Sequence, residues 1–354
     1  MQHGDAPAMT DASSPPAGRD ERAVASWLLL CCALVFAMVV VGGITRLTHS
    51  GLSIVEWQPI AGALPPLDQA QWEEAFDKYR QTPEFRQVNP DMDLARFKLI
   101  FWWEYVHRLL GRLIGAVFLL PLLWFALRGK IARALLPKLA GIFVLGGLQG
   151  AMGWYMVESG LVADPRVSQL RLAAHLGFAF LIYAAMLWIA LDLLFRGGGT
   201  PAPSRSLRRA AAALAILVFV MVLSGALVAG THAGLEYNTF PLMNGRVVPP
   251  DAFAMQPWHR NLYDNLATVQ FDHRLIAWAL AFFAPWLWLR VRSAGASRRA
   301  RLAADLLLGA IVVQIALGIS TLLLFVPVPL AAAHQAGALL VFTAALFLVH
   351  SLRG

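Results

Sequence analysis

Four histidines stand inside apolar stretches long enough to cross a membrane: His107, His175, His273 and His334. An ionisable side chain at membrane depth is costly, so it marks function by default. The four recur in pairs. His107-Arg108-Leu109 is answered by His273-Arg274-Leu275, and Ala173-Ala174-His175 by Ala332-Ala333-His334. A lone histidine hydrogen-bonded between helices would be ordinary packing, but four at repeated positions and similar depth argue for a ligand. Zinc takes four ligands, or three plus water, and in the second pair no nearby Cys, Asp or Glu completes either set. Haem iron takes two axial ligands from opposite faces, commonly histidine. Two histidines on facing helices suit a haem held between them. Gly111, Gly115, Gly177 and Gly337 lie close to these positions; they either admit a flat macrocycle or let helices pack closely.

Other chemistry-bearing residues flank the histidines. Arg108 and Arg274 follow directly, with Arg112 one turn on, and arginine binds carboxylates such as haem propionates in a bidentate fork. Pairing with Glu104, Asp272 or a lipid headgroup is the alternative role. Glu104 lies three residues before His107, whereas the matching residue before His273 is Gln270. A buried carboxyl can transfer protons; an amide cannot. The asymmetry points to chemistry in the first half and a permanent cofactor in the second. The bland reading is that Glu104 only pairs with Arg108 or Arg112. His49 and His232 also match across the repeat but fall in loops, where they either cap the sites or serve the loops alone. Cys31 and Cys32 are adjacent in an apolar run, point about 100° apart on a helix, and read as small core residues.

The elements that must position these residues are membrane helices. Hydrophobic residues make up 58% of the chain and charged ones 14%, against roughly 25% charged in soluble domains. Runs of about 20 apolar residues predict eight spans, near 26–45, 99–125, 139–157, 172–195, 210–230, 269–289, 303–325 and 332–351. The net charge of +8 sits in loops rather than on a nucleic-acid-binding face, so no nucleic acid is expected. Loops 126–138, 196–209 and 290–301 are basic, which places them in the cytoplasm. Both termini are then cytoplasmic, the long loop 46–98 is periplasmic, and the four histidines lie toward the periplasmic side of an inner membrane. In that loop, residues 68–80 predict an amphipathic helix. Asp68 with Gln71 resembles a capping box, and Trp72, Phe76 and Tyr79 share a face that rests either on the bilayer or on the bundle. Residues 1–25 read as a disordered cytoplasmic tail.

Further markers repeat in the same order. Thr48-His49-Ser50-Gly51-Leu52 matches Thr231-His232-Ala233-Gly234-Leu235, and Gln149-Gly150-Ala151-Met152-Gly153 matches Gln314-Ile315-Ala316-Leu317-Gly318. Each unit holds an even number of spans, so the halves share one orientation about an axis along the membrane normal. The expected fold is all-α, with eight transmembrane helices forming two tandem pseudo-symmetric four-helix bundles, 26–195 and 210–354, joined by a basic linker at 196–209.

With Glu104-Tyr105-Val106-His107-Arg108, His175, Asp272-His273-Arg274 and Ala333-His334-Gln335 in hand, together with Gly43-Ile44-Thr45-Arg46-Leu47-Thr48 and Ser50-Gly51-Leu52-Ser53, the chain resembles the haem A synthase family, in the subclass of mitochondria and related bacteria. The resemblance runs from about Ser26 to the end. It implies oxidation of a porphyrin methyl of haem O to the formyl of haem A, for terminal cytochrome oxidases. It also implies a haem b on His273 and His334, with Arg274 beside it, and a substrate site at His107, His175 and Arg108 with Glu104 as catalytic carboxylate. The partners implied are haem O, a haem O synthase that hands it over, an unidentified electron partner and membrane lipid. Another subclass carries cysteine pairs in its outer loops; this chain has none there. The competing readings are a dihaem electron-transfer protein and a haem carrier.

Overall fold

The computed structural model describes residues 18–58, 61–162, 165–195 and 203–353. Most of the expected tail, 1–17, and the first part of the expected linker, 196–202, lie outside the described residues. The described chain is helical: α1 (Arg19–Leu47), α2 (Gln69–Arg80), α3 (Pro83–Gln87), α4 (Leu94–Leu127), α5 (Leu136–Leu161), α6 (Gln169–Leu194), α7 (Arg205–Thr231), α8 (Leu266–Ser293), α9 (Arg298–Leu323) and α10 (Val328–Ser351), with short 3₁₀ turns in the loops. Eight of these, α1 and α4 to α10, are long and apolar enough to span a bilayer.

Local chemistry sets the helix ends. Asp93, Ser168, Ser204, Asn265 and Ser297 each accept a hydrogen bond from a backbone N–H in the first turn of the helix they open, which satisfies donors a helix leaves orphaned. One boundary differs from expectation. α1 begins at Arg19, not near residue 26, and Val24 and Ala25 are fully packed. Asp20 and Glu21 favour a helix N-terminus, and Lys130 pairs with Asp20 at 2.8 Å, so the acids that look like part of a tail instead start the helix.

The packing order gives two rings. α1 packs on α4 and α6, and α5 fills the place between α4 and α6; α7 packs on α8 and α10, and α9 lies between them. The rings meet through α6 on α7, α1 on α10 and α6 on α10. The continuous apolar core, with Leu28, Cys31, Phe180, Leu214, Leu287, Leu307 and Leu348, occupies the end where α1 begins. The opposite end, carrying the long loops, holds the histidines instead.

α4 is 34 residues long, about 51 Å at 1.5 Å per residue, well beyond the ~30 Å hydrocarbon core. Its first two turns therefore rise above the spans, and α2 packs on them. Asp68 caps the helix by accepting from Gln71 N at 2.9 Å, while Gln71 Oε1 accepts at 2.8 Å from Leu67 N, one residue before the cap, so the reciprocal bond of a capping box is displaced by one residue. Trp72, Phe76 and Tyr79 bury against Phe97, Phe101 and Tyr105. The apolar face of α2 thus caps the bundle rather than lying on the bilayer.

Candidate functional site

The four histidines come from diagonally placed helices. His107 on α4 and His175 on α6 face across the first ring; His273 on α8 and His334 on α10 face across the second. His107 lies within electrostatic reach of His175, and His273 of His334. The other two helices of each ring contribute glycines. A Cβ at Gly42 of α1 would stand 2.8 Å from His107 Cε1, and one at Gly153 of α5 3.1 Å from His175 Cε1. In the second ring, Gly225 of α7 meets His273 Cε1 at 3.3 Å and Gly318 of α9 meets His334 Cε1 at 2.8 Å. Each imidazole thus lies against a helix backbone that only glycine exposes.

A second pair of repeated contacts fixes the α6 and α10 backbones. Gln149 Nε2 donates to His175 O at 3.0 Å, and Gln314 Nε2 to His334 O at 2.9 Å. These glycines and glutamines were not singled out as site residues from sequence, although Gln149-Gly153 and Gln314-Gly318 bound one of the repeated markers. Of the glycines that were, Gly177 and Gly337 serve close packing: a Cβ on Gly177 would lie 2.6 Å from Leu223 Cδ2, and one on Gly337 would strike Gln314 Oε1. Gly111 meets only Met38, and Gly115 faces open space.

The donor set fits an iron macrocycle. His107 Nδ1 and His334 Nδ1 are buried with no hydrogen-bond partner, a costly condition for a polar atom. No group of three or more His, Cys, Asp or Glu able to hold a metal ion occurs among the described residues. What remains is two imidazoles per ring, the number an axially ligated haem takes. His273 also has Ser224 Oγ at 3.2 Å from Nδ1.

Above the histidines, the arginines grip the loops. Arg108 donates through Nη2 to Ile54 O at 2.8 Å and through Nη1 to Glu56 O at 3.1 Å. Arg274 donates through Nη2 to Tyr237 O at 2.6 Å and through Nη1 to Thr239 O at 2.9 Å. Tyr237 and Thr239 follow His232 at the spacing by which Ile54 and Glu56 follow His49, so the clamp itself is repeated. Arg112 donates to Gln58 O at 2.8 Å. Most of these donors face carbonyls, not open space.

The halves part beside the axial histidines of α4 and α8. Glu104 is 3% exposed and accepts four hydrogen bonds: from Ser53 Oγ at 2.7 Å, Ile54 N at 2.8 Å, Arg108 Nε at 3.0 Å and Arg108 Nη2 at 2.6 Å. Gln270, equally buried, reaches Tyr237 O at 3.3 Å and leaves its Oε1 unpartnered. A second buried carboxyl, Glu84 of α3, sits in the cap above Glu104; burial, then the charge of Glu104, pushes it up to about 7.

This arrangement agrees with what the chain is similar to. Residues 25–346 match the model of the cytochrome oxidase assembly protein family. The chain is 62% identical to the haem A synthase of Nitrosospira multiformis, over 94% of each chain. It is 55% identical to that of Nitrosomonas eutropha, over 99% of this chain and all of the relative, and 50% identical to that of Parvibaculum lavamentivorans, over 94% and 95%. A match of that depth, running through both rings and every histidine between them, leaves no part of the bundle unaccounted for: the chain belongs to the haem A synthase family.

Proposed function

We propose that this chain converts haem O to haem A in a bacterial inner membrane, with both termini cytoplasmic and both histidine pairs toward the periplasm. One porphyrin methyl is oxidised to a hydroxymethyl, then to a hydrated aldehyde that loses water to give the formyl group. The first ring holds the substrate between His107 and His175. The second holds a haem b between His273 and His334, which supplies one-electron transfer when bound. The electrons pass on to a separate acceptor, and haem O arrives from a haem O synthase.

The observation that carries this reading is a break, beside the axial histidine, in an otherwise repeated geometry. Histidines, glycine seats, glutamine braces and arginine clamps recur in both rings, while a carboxyl stands at Glu104 and an amide at Gln270. Two purely redox haems would not need that difference. Glu104 is the group on this helix face able to take a proton from the reacting carbon or its hydroxyl. Ser53, Ile54 and Arg108 fix both its oxygens, so its position is set by the loop that closes over the ring. Arg108 is then a positioning residue, and Arg274 holds the equivalent loop in the second ring.

The test is Glu104→Gln, which keeps the shape and removes the exchangeable carboxyl proton. The mutant is expected to insert, keep its haem b and bind haem O, but to make little haem A. The measurement is the ratio of haem A to haem O in extracted porphyrins, normalised to inserted protein. A near-normal ratio would remove Glu104 from the chemistry. Product formation by wild-type protein supplied with haem O separates the synthase from an electron carrier or a haem carrier, neither of which yields haem A.

A further inference from the structure

The clamps formed by Arg108, Arg112 and Arg274 leave open what holds the carboxylates of a porphyrin. Arg46 is in place to do so. It lies in the last turn of α1, and no described residue forms an ion pair or hydrogen bond with its guanidinium. It is only partly exposed. A half-buried guanidinium without a counter-charge is unfavourable, and the natural complement is an anion.

Position narrows the anion. Arg46 is four residues beyond Gly42, the seat of the His107 ring. Residues four apart share a helix face, so Arg46 lies one turn, about 6 Å, outward from that seat and on the same side of α1. His49 follows just beyond the end of α1. Its ring lies parallel to that of His232, with centroids 6.1 Å apart and planes 5° from parallel. The two come from the ends of α1 and α7, where the rings meet, and both hold left-handed backbones, φ 52° and 60°, which non-glycine residues rarely adopt. His232 senses the charges of Arg46, His49 and Arg166, so these basic groups form one cluster. The second ring has no such cation: three residues before His232 stands Ala229.

We propose that Arg46, with the imidazoles of His49 and His232 beside it, is a carboxylate site that takes a propionate of the porphyrin bound between His107 and His175. This rests on reading the first ring as the substrate site. Two axial imidazoles approach a macrocycle perpendicular to its plane, so the plane runs along the helices and one edge turns toward the long-loop end, where Arg46 waits. A guanidinium there forms charge-assisted, forked hydrogen bonds to a carboxylate. Ala229 stands at the matching position of the second ring, so that ring lacks this contact.

The test titrates purified full-length protein with iron protoporphyrin IX and with its dimethyl ester, following the absorption change on binding. Wild-type protein should bind the ester on the order of tenfold more weakly, the loss of one charge-assisted contact. Arg46→Ala should bind acid and ester alike, near the wild-type affinity for the ester, and Arg46→Lys should restore part of the preference. Equal binding of acid and ester by wild type, or an undiminished preference in Arg46→Ala, overturns the proposal. So does loss of co-purified anionic lipid from Arg46→Ala with the preference intact, which makes this a headgroup site. His107→Ala should abolish the titration with both probes. If that titration is unchanged, the porphyrin-site reading itself falls, and the two failures are thereby distinguished.

Discussion

At the scale of the residue, the chemistry turns on how firmly Glu104 is held. Its Oε2 accepts from Ser53 Oγ and Ile54 N, and its Oε1 from Arg108. Ser53→Ala removes one hydrogen bond of about 1.5–3 kcal/mol to a charged group. It is expected to lower the haem A to haem O ratio by roughly ten- to a hundredfold while haem b content stays unchanged; a drop in both would mean a folding defect instead. In the second ring the expectation concerns the cofactor. His334→Ala should lose or disturb a low-spin b-type spectrum, because a second imidazole is what creates the strong ligand field. An unchanged spectrum and haem content in that variant would refute the axial assignment.

At the scale of the element, glycine decides whether a histidine reaches its place. A methyl group on Gly42 would come within 2.8 Å of the His107 ring, and one on Gly318 within 2.8 Å of the His334 ring, whereas Gly115 meets nothing within 4 Å. Gly318→Ala should therefore reduce haem b content and shift its spectrum, while Gly115→Ala leaves both as in wild type. The α2–α3 cap carries a pH dependence. Glu84 is raised by burial and by Glu104 to about 7 from an ordinary 4.5, so the folded cap binds more protons than the open one. Its stability is full below about 4.5 and declines as pH rises through 7. Amide protection across 69–87, measured relative to the intrinsic exchange rate at each pH, should be lower at pH 8 than at pH 5, and Glu84→Gln should flatten that difference.

At the scale of the molecule, the dense apolar core fills the end where α1 begins, and the opposite end is given to histidines, glycines and loop clamps. The basic loops lie at the core end and the long loops at the other, so charge and site point in opposite directions. Reporter fusions at Gly295 and at Gln81 should fall in opposite compartments, the former cytoplasmic; a shared compartment would sink the eight-span arrangement.

Spans, repeat and histidine pairs could all be read from the chain because each leaves a local trace. Apolar length names a bilayer helix, matched markers name a repeat, and an ionisable residue in an apolar run stands out on cost alone. The α2 helix was legible for the same reason, since Asp68, Gln71 and the Trp72-Phe76-Tyr79 face are local pattern, although only packing on α4 decides that this face meets the bundle and not the bilayer. Three things were not. Gly42 and Gly225 matter only because α4 and α8 bring His107 and His273 against them, and a glycine does not advertise its neighbour. The loop carbonyls that occupy Arg108 and Arg274 are backbone atoms, about which residue type says nothing. Whether Arg46 has a partner is decided only when the acceptors around it have their places, and none of the described residues bonds its guanidinium. Residue types and spacing determined the kind of ligand this chain can hold; tertiary packing decided which side chains are already committed and which remain for the ligand, because hydrogen-bond satisfaction is a property of the folded whole.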